Sequence, residues 1–302
     1  MEKESPEIIF IIGFPRSGTK LLLEILKTHP KIGGLNSEIN MAHKVSDDPG
    51  YKLNINNVFN SNTISENLND LTLKGFFDSL ADKKCNTTNY KKLLAYINSK
   101  PNITYVVDKS PRYINHLDHL IQNFPSAKFI HIIRNPIDVA LSHKKVWNKS
   151  IIRTSDQWRK VNQRLSNRKY TAPILRVRYE NLTTNPEESL FEISSYLNIN
   201  NDFDYKNVNS REKYGNVTVQ GVKINKNSGL SSIRNQKLIE EYSYSAMKTF
   251  EYQINYAKKQ KKKTLFLSIF LILWDKVNVL SFHIREKGII KGTRYYFKLQ
   301  NN

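Results

Sequence analysis

Residues 8–26 read IIFIIGFPRSGTKLLLEIL, and this stretch decides the fold. The run Ile8 to Ile12 has the continuous apolar, β-branched character of a strand buried on both faces. Gly13-Phe-Pro-Arg-Ser-Gly-Thr19 follows as a tight loop of small and hydroxyl residues. Lys20 to Lys27 then carries the apolar spacing of a helix. Strand, glycine loop and helix together make an anion cradle. Loop amides and the helix N-terminus aim at one point, where a phosphate-like group is stabilised.

The nucleotide-binding loop G-x-x-x-x-G-K-[ST] is the nearest general pattern. Gly13 and Gly18 have its spacing, but Gly18-Thr19-Lys20 stands where that pattern has Gly-Lys-Thr. The long cation lies inside the loop instead, at Arg16.

Outward from this stretch, helices and strands alternate. Leu71–Leu80 and Tyr90–Asn98 have helical spacing, and Tyr105–Asp108 reads as a short strand. Pro111–Asn123 reads as an amphipathic helix opened by proline. Lys128–Arg134 is a strand. Pro136–Trp147 is a helix with Asn135 as its N-cap and Asp138 near its positive end. Ser155–Tyr170 reads as a polar helix, Ile174–Glu180 as a strand, and Pro186–Leu197 and Arg234–Tyr256 as helices. Residues 36–75 are polar and asparagine-rich, as in long loops that cover a site. The alternation predicts an α/β fold: a P-loop-like parallel sheet flanked by helices on both faces. Ligands bind such sheets at the strands' carboxyl ends. The 13–19 loop, Asp108-Lys109, Arg134 and Tyr179 all fall at those ends.

The chain has 302 residues, 39% of them hydrophobic, and a net charge of +20. This suits one large domain and anionic partners, without choosing among nucleotide, acidic glycan, lipid surface or nucleic acid. A single cysteine, Cys85, rules out an intrachain disulfide. The charged start MEKESPE runs straight into the first strand and lacks the pattern of a secretory signal. The expected location is therefore cytoplasmic.

A second motif, HIIRNPIDVALSHKKVW, spans His131 to Trp147. Arg134 leaves a strand end, and Ser142 lies about two turns into the next helix, on the side that faces back. Guanidinium and hydroxyl form a phosphate clamp, because arginine donates in a fork that matches phosphate oxygens.

Three segments in order, GFPRSGTKLLLEIL, VVDKSPRYINHLDHLIQNFPSAKFIHIIRNPIDVALS and VRYENLTTNPEESLFEISSYL, resemble the sulfotransferases that use 3′-phosphoadenosine 5′-phosphosulfate (PAPS). The likeness covers roughly residues 8–256 and is greatest to the branch with tyrosylprotein sulfotransferases and bacterial relatives. It implies the sulfotransferase fold and transfer of a sulfuryl group from PAPS to a hydroxyl, with PAP released. It further implies that Arg16, Ser17, Gly18 and Thr19 cradle the 5′-phosphosulfate. Arg134 and Ser142 would hold the 3′-phosphate, and Tyr179 would lie near the adenosine. Lys109 would touch the sulfuryl group, and Glu38 would be the general base. Lys20 replaces a second threonine of the family and is a further candidate contact. Pro111 stands where the cytosolic small-molecule branch has a histidine base, which favours Glu38. His116 and His119 are expected to be ordinary helix residues. Lys226 and Ser231 are candidates for a loop closing on the 3′-phosphate. No metal is required, and no metal-ligand cluster is visible in the sequence.

The expected acceptor is a carbohydrate or glycolipid hydroxyl, and no nucleic-acid partner is expected. Two rival readings remain: an ATP-dependent phosphotransferase, which the displaced lysine opposes, and an inactive basic protein that binds membrane or nucleic acid.

Residues 1–257 form the expected catalytic domain and 258–302 a separate tail. Eleven lysines and arginines stand against two acids in that tail. KKQKKK, from Lys258 to Lys263, leads into LFLSIFLILW, an apolar run that looks too short to span a bilayer. Two readings fit it: peripheral docking on an anionic membrane, or a helix packed on the domain behind a solvated lysine patch.

Overall fold

The computed structural model describes residues 6–35, 38–62, 70–98, 100–206, 208–212, 215–218 and 232–301. The chain forms two compact units interleaved in sequence. The first comprises residues 1–13, 18–133 and 170–221, the second residues 14–17, 134–169 and 222–302.

The first unit holds a five-stranded sheet. Strand β1 (Glu7–Ile12) lies in its middle, paired in parallel with β3 (Tyr105–Lys109) on one side and β4 (Lys128–Ile133) on the other. Strands β2 (Ile32–Gly34) and β5 (Ile174–Arg178) extend it, also in parallel, to the order β2-β3-β1-β4-β5. The register sets Ile11 beside Lys109 and Ile12 beside His131, so the carboxyl ends of the three central strands are level.

Both faces of β1 are buried, which accounts for its unbroken apolar run. Ile9 and Ile11 pack with Leu21, Leu22 and Ile25 of α1 (Thr19–Leu26) and with Leu190 and Ile193 of α9 (Pro186–Leu197). On the opposite face, the Phe10 ring stacks on Phe129 at 5.5 Å and meets the edges of Tyr113 and Phe124. The polar 36–75 stretch contributes α2 (Ile55–Asn62) and the start of α3 (Asp70–Ser79), and α4 (Thr87–Ile97) follows.

The structure corrects several expected boundaries. Pro111–Asn123 is a 3-10 turn over Pro111–Asn115 followed by α5 (Leu117–Asn123), not one helix. Between them His116 has φ −121 and ψ 21, outside helical geometry. The turn brings the Tyr113 ring inward, where its hydroxyl donates to Asp108 at 2.8 Å. The last strand ends at Arg178, and Tyr179 opens a short helix, α8 (Tyr179–Thr184). A three-residue strand, β2, and an antiparallel pair, β6 (Asn209–Glu212) and β7 (Gly215–Thr218), have no counterpart in the sequence reading.

The second unit is helical. Helix α6 (Pro136–Trp147) begins as expected, with the Asn135 side chain accepting from the Ile137 amide at 2.9 Å. Helix α7 (Ile151–Asn167) starts four residues before the expected Ser155, because Ser150 caps it and accepts from the Arg153 amide. Trp158 of α7 is fully buried against Phe250 and Tyr252. Helix α10 (Ile233–Thr249) stops seven residues short of the expected Tyr256. The chain turns at Glu251 (φ 55), and the amides of Asn255, Tyr256 and Ala257 then donate to the buried Glu240 carboxylate. The apolar tail run is also longer than it looked. It continues past Asp275 into α11 (Leu265–Lys287), 23 residues long, which by length and composition alone could cross a membrane. Helix α12 (Ile289–Asn301) packs back on it, with Gly292 so close to the His283 carbonyl that a Cβ would come within 2.3 Å.

Candidate active site

The glycine loop is divided between the units. In the first unit, Gly13 ends β1, where a Cβ would lie 2.8 Å from the Ile132 carbonyl oxygen. Gly18 caps α1 at φ 97, and a Cβ there would run into the Tyr179 ring at 2.3 Å. Glycine is needed here on both counts. No side chain caps the N-terminus of α1, so its leading amides are offered outward. Thr19 is buried and Lys20 half-buried in the first turn. Tyr179 belongs to the core behind Gly18.

In the second unit, the amide of Ser17 donates to Phe14 O at 3.0 Å and closes a turn. Arg16 within it has φ 72, a left-handed conformation that costs a non-glycine residue about 1–2 kcal/mol. Ser17 Oγ is fully buried and has no hydrogen-bond partner. Arg16 Nε donates to Ser142 Oγ at 3.0 Å, and its guanidinium lies 5.9 Å from the Trp147 ring centre. Arg134 Nη1 donates to the Arg16 carbonyl at 3.3 Å and pairs with Asp138 at 3.6 Å. The two motifs, more than a hundred residues apart, thus meet in one unit. The sequence placed Ser142 opposite Arg134, whereas its hydroxyl bonds to Arg16.

His143, which the sequence reading passed over, anchors the same loop. Its Nε2–H donates to the Pro15 carbonyl at 3.1 Å and its ring stacks on Phe14. Burial pushes its pKa down to about 3, so the ring is neutral. Its position one residue after Ser142, and four before Trp147, was the available signal.

The first unit also holds the Glu38–Lys109 pair. Lys109 ends β3, is 8% exposed, and its ammonium lies 2.6 Å from Glu38 Oε1. The segment carrying Glu38 is fastened at two further points. Ser110 Oγ donates to Asn40 Oδ1 at 2.8 Å, and the Ala42 amide donates to the Tyr113 hydroxyl at 3.1 Å. Beneath Lys109, Asp108 Oδ2 accepts from the hydroxyls of Tyr90 (2.5 Å) and Tyr113. Burial pushes Asp108 up to about 6 despite these donors. Asn40, Tyr90 and Tyr113 were not singled out from sequence.

His29, His43, His116 and His119 have partners away from the glycine loop. His29 accepts from the Lys31 amide at Nδ1 and donates from Nε2 to Asn200 O. His116 stacks on His43 at 4.6 Å, and His119 donates to Val45 O. Lys226 and Ser231 lie outside the described residues. Among the described residues, no group of three His, Cys, Asp or Glu side chains is placed to hold a metal.

Comparison with known proteins bears on the fold and the family. The model of the Sulfotransferase family matches residues 6–204. The nodulation protein NoeE of Sinorhizobium fredii (strain NBRC 101917 / NGR234) is 28% identical over 147 residues. That match takes in 47% of this chain and 32% of NoeE, so the chain spans about a third of that relative's length. Among solved structures, the sulfotransferase domain of the Synechococcus PCC 7002 olefin synthase superposes with a TM-score of 0.56 at 19% identity, over 84% of this chain and 98% of that one. The sulfotransferase domain from the curacin biosynthetic pathway gives 0.50 at 19% identity, over 83% and 99%. Mycobacterium avium sulfotransferase STF9 gives 0.50 at 12%, over 84% and 79%. At such identities these structures establish a shared fold. The single family model running from before β1 to beyond α9 establishes descent, and the chain belongs to the Sulfotransferase family.

Proposed function

We propose that this enzyme takes its sulfuryl group from PAPS and delivers it to a hydroxyl on a carbohydrate or glycolipid, with Glu38 as general base. The observation that carries the donor reading is the meeting of Arg16, Ser142 and Arg134 through bonds of 3.0 and 3.3 Å. Three further features suit a phosphosulfate: the buried, unsatisfied Ser17 hydroxyl, the uncapped start of α1, and glycine at position 18. PAPS when bound supplies an activated sulfuryl group, whose bond to the 5′-phosphate oxygen breaks as the bond to the acceptor oxygen forms.

The roles proposed for the chain's own residues are those that the resemblance to the family implies. Arg16, Ser17, Gly18, Thr19 and, at the helix start, Lys20 bind the 5′ end. Arg134 and Ser142 bind the 3′-phosphate, Ser142 also steadying Arg16 through the 3.0 Å bond, and Tyr179 supports the nucleotide side from behind Gly18. Glu38 accepts the acceptor hydroxyl's proton, a contribution of about 10²–10⁴-fold in rate. Lys109 stabilises the charge that builds on the oxygens in transfer, and holds Glu38 in place at 2.6 Å. These fixed cations supply the charge stabilisation without a metal ion. The carbohydrate or glycolipid acceptor is favoured by the net charge of +20 and the basic, apolar tail.

Titration calorimetry with PAP, ADP and ATP, with and without Mg²⁺, tests the donor. PAP should bind at least about tenfold tighter than either and without Mg²⁺. Binding of Mg-ATP with no affinity for PAP would overturn the reading in favour of a phosphotransferase. Glu38→Gln should retain PAP affinity and lose turnover, and an active variant would reject Glu38 as the base.

A further inference from the structure

Helix α11 has two contrasting faces. One is fastened to α6 and α7 of its own unit. Asp275, close to the middle of the helix, is 3% exposed. Its carboxylate accepts from the Ser150 amide and from Arg153 Nη1, both at 2.8 Å. Asn148 donates to Asn278, and the Trp274 indole donates to the Asn148 carbonyl.

The other face is an apolar stripe in water. Phe266, Ile269, Phe270, Leu273 and Val277 are 51–82% exposed. Positions 266, 270, 273 and 277 recur at four, three and four residues, so they share one side of the helix. A contiguous exposed stripe of this kind marks an interaction surface. Cations border it. Lys258, Lys259 and Lys262 just before the helix and Lys276 within it are exposed, while Lys261 and Lys263 are tied to Glu241 and Asp156. At the stripe's edge a cavity of about 270 Å³ combines Lys144 and Lys149 with Phe270, Leu271 and Trp274. Cations beside aromatic and aliphatic groups match an anionic headgroup with its acyl chain.

We propose that this face is a membrane-docking surface: the α11 stripe inserts into the headgroup–acyl boundary of an anionic phospholipid bilayer, with the bordering lysines against lipid phosphates and the Lys144–Lys149 cavity receiving one headgroup. The helix lies along the surface and does not cross it. Crossing would require the buried Asp275–Arg153 pair at mid-helix to part and the carboxylate to enter hydrocarbon, a costly step. Opposite charge draws the chain to the bilayer, and the buried apolar side chains hold it there. The proposal is independent of the donor: a chain that fails to bind PAP would still dock.

Co-sedimentation of the full chain with phosphatidylcholine vesicles, with and without phosphatidylglycerol, tests it. Binding should need the anionic lipid, fall with added salt, and shift Trp274 emission to the blue. Phe266→Glu/Phe270→Glu should weaken binding at least about tenfold, because exposed aromatic groups are replaced by charges that lipid phosphates repel. Lys258→Ser/Lys259→Ser/Lys262→Ser, which leaves both tied lysines intact, should also weaken it at least about tenfold. Unchanged melting temperatures would show that both variants fold. The proposal is overturned by wild-type binding that ignores lipid charge, by variants that bind as the wild type does, or by resistance to alkaline carbonate extraction. A wild-type dimer that Phe266→Glu/Phe270→Glu converts to monomer, with no vesicle binding by either, would assign the stripe to a second copy of the chain and equally overturn it.

Discussion

The phosphate-loop side of the molecule and the Lys258–Lys263 run both present cations, yet these are handled in opposite ways. Arg16 is held by Ser142 and lies over Trp147, and Lys109 is nearly buried against Glu38. Lys258, Lys259 and Lys262 stand in solvent. A cation fixed before its ligand arrives has little ordering entropy left to lose and can stabilise charge at one chosen atom. An exposed lysine acts at a distance and through a salt-screened field, with a Debye length of about 8 Å at physiological ionic strength. The net charge of +20 therefore combines two properties, one chemical and one of surface attraction.

Replacing the fixed pair separates the two most sharply. Lys109→Ala and Glu38→Gln should each lower kcat by about 10²–10⁴-fold while PAP affinity changes little. The Lys258/Lys259/Lys262 triple serine variant should leave kcat for a water-soluble acceptor unchanged. Steady-state kinetics on the three proteins checks this, and a large kcat loss in the tail variant would break the distinction.

Stability against pH gives the next largest effect. Asp108 lies under Lys109 with its pKa raised from 3.8 to about 6. The folded state holds this proton more tightly than the unfolded chain does. The associated stability is present below about pH 4 and is lost as pH rises to about 6, on the order of 2–3 kcal/mol. Asp108→Asn keeps an oxygen for both tyrosines and should remove that loss. His43 and His143 act in the other direction. Burial lowers them to about 4 and about 3, so their contribution is present above pH 6.5 and lost on acidification. Denaturant titrations of wild type and Asp108→Asn at pH 4, 5, 6 and 7 isolate the carboxyl. Parallel curves would show that Asp108 titrates normally.

Arg16→Ala should weaken PAP binding by about 10–100-fold, the scale of a lost charge-assisted hydrogen bond. The ratio of wild-type to variant affinity should change little between low and high salt, whereas vesicle binding through the tail should fall steeply. A ratio that collapses with salt would place Arg16 with the diffuse charges.

The smallest effect is expected at Tyr113. Its hydroxyl joins Asp108 to the Ala42 amide and so steadies the segment bearing Glu38. Tyr113→Phe should lower kcat about tenfold, as a displaced base would, with PAP affinity unchanged. Equal changes in kcat and PAP affinity would indicate general loosening.

Local chemistry made much of this legible in the sequence. Ile8–Ile12 is apolar on both faces because β1 is central, and Asn135-Pro136 is a cap followed by a first-turn proline, so strand and helix were readable where they stand. Gly13 and Gly18 were readable because crowding leaves no room for a Cβ at either. Long-range satisfaction was not legible. The fastening of Glu38 depends on Asn40–Ser110 and Ala42–Tyr113, whose partners are some 70 residues apart. Helix α11 looked short because Asp275 interrupts the apolar run, and nothing local shows that Arg153 neutralises it across 122 residues. Strand β2 is three residues with two glycines, too short for a periodic signal.

The central claim is that Arg16 and Arg134 serve different ends of one nucleotide, and comparing PAP with 5′-AMP, which lacks the 3′-phosphate, tests it most directly. Calorimetry should show wild type preferring PAP. Arg134→Ala should lose about 10–100-fold for PAP, with its affinity for AMP unchanged. Equal losses for both ligands, or none for either, would contradict the account.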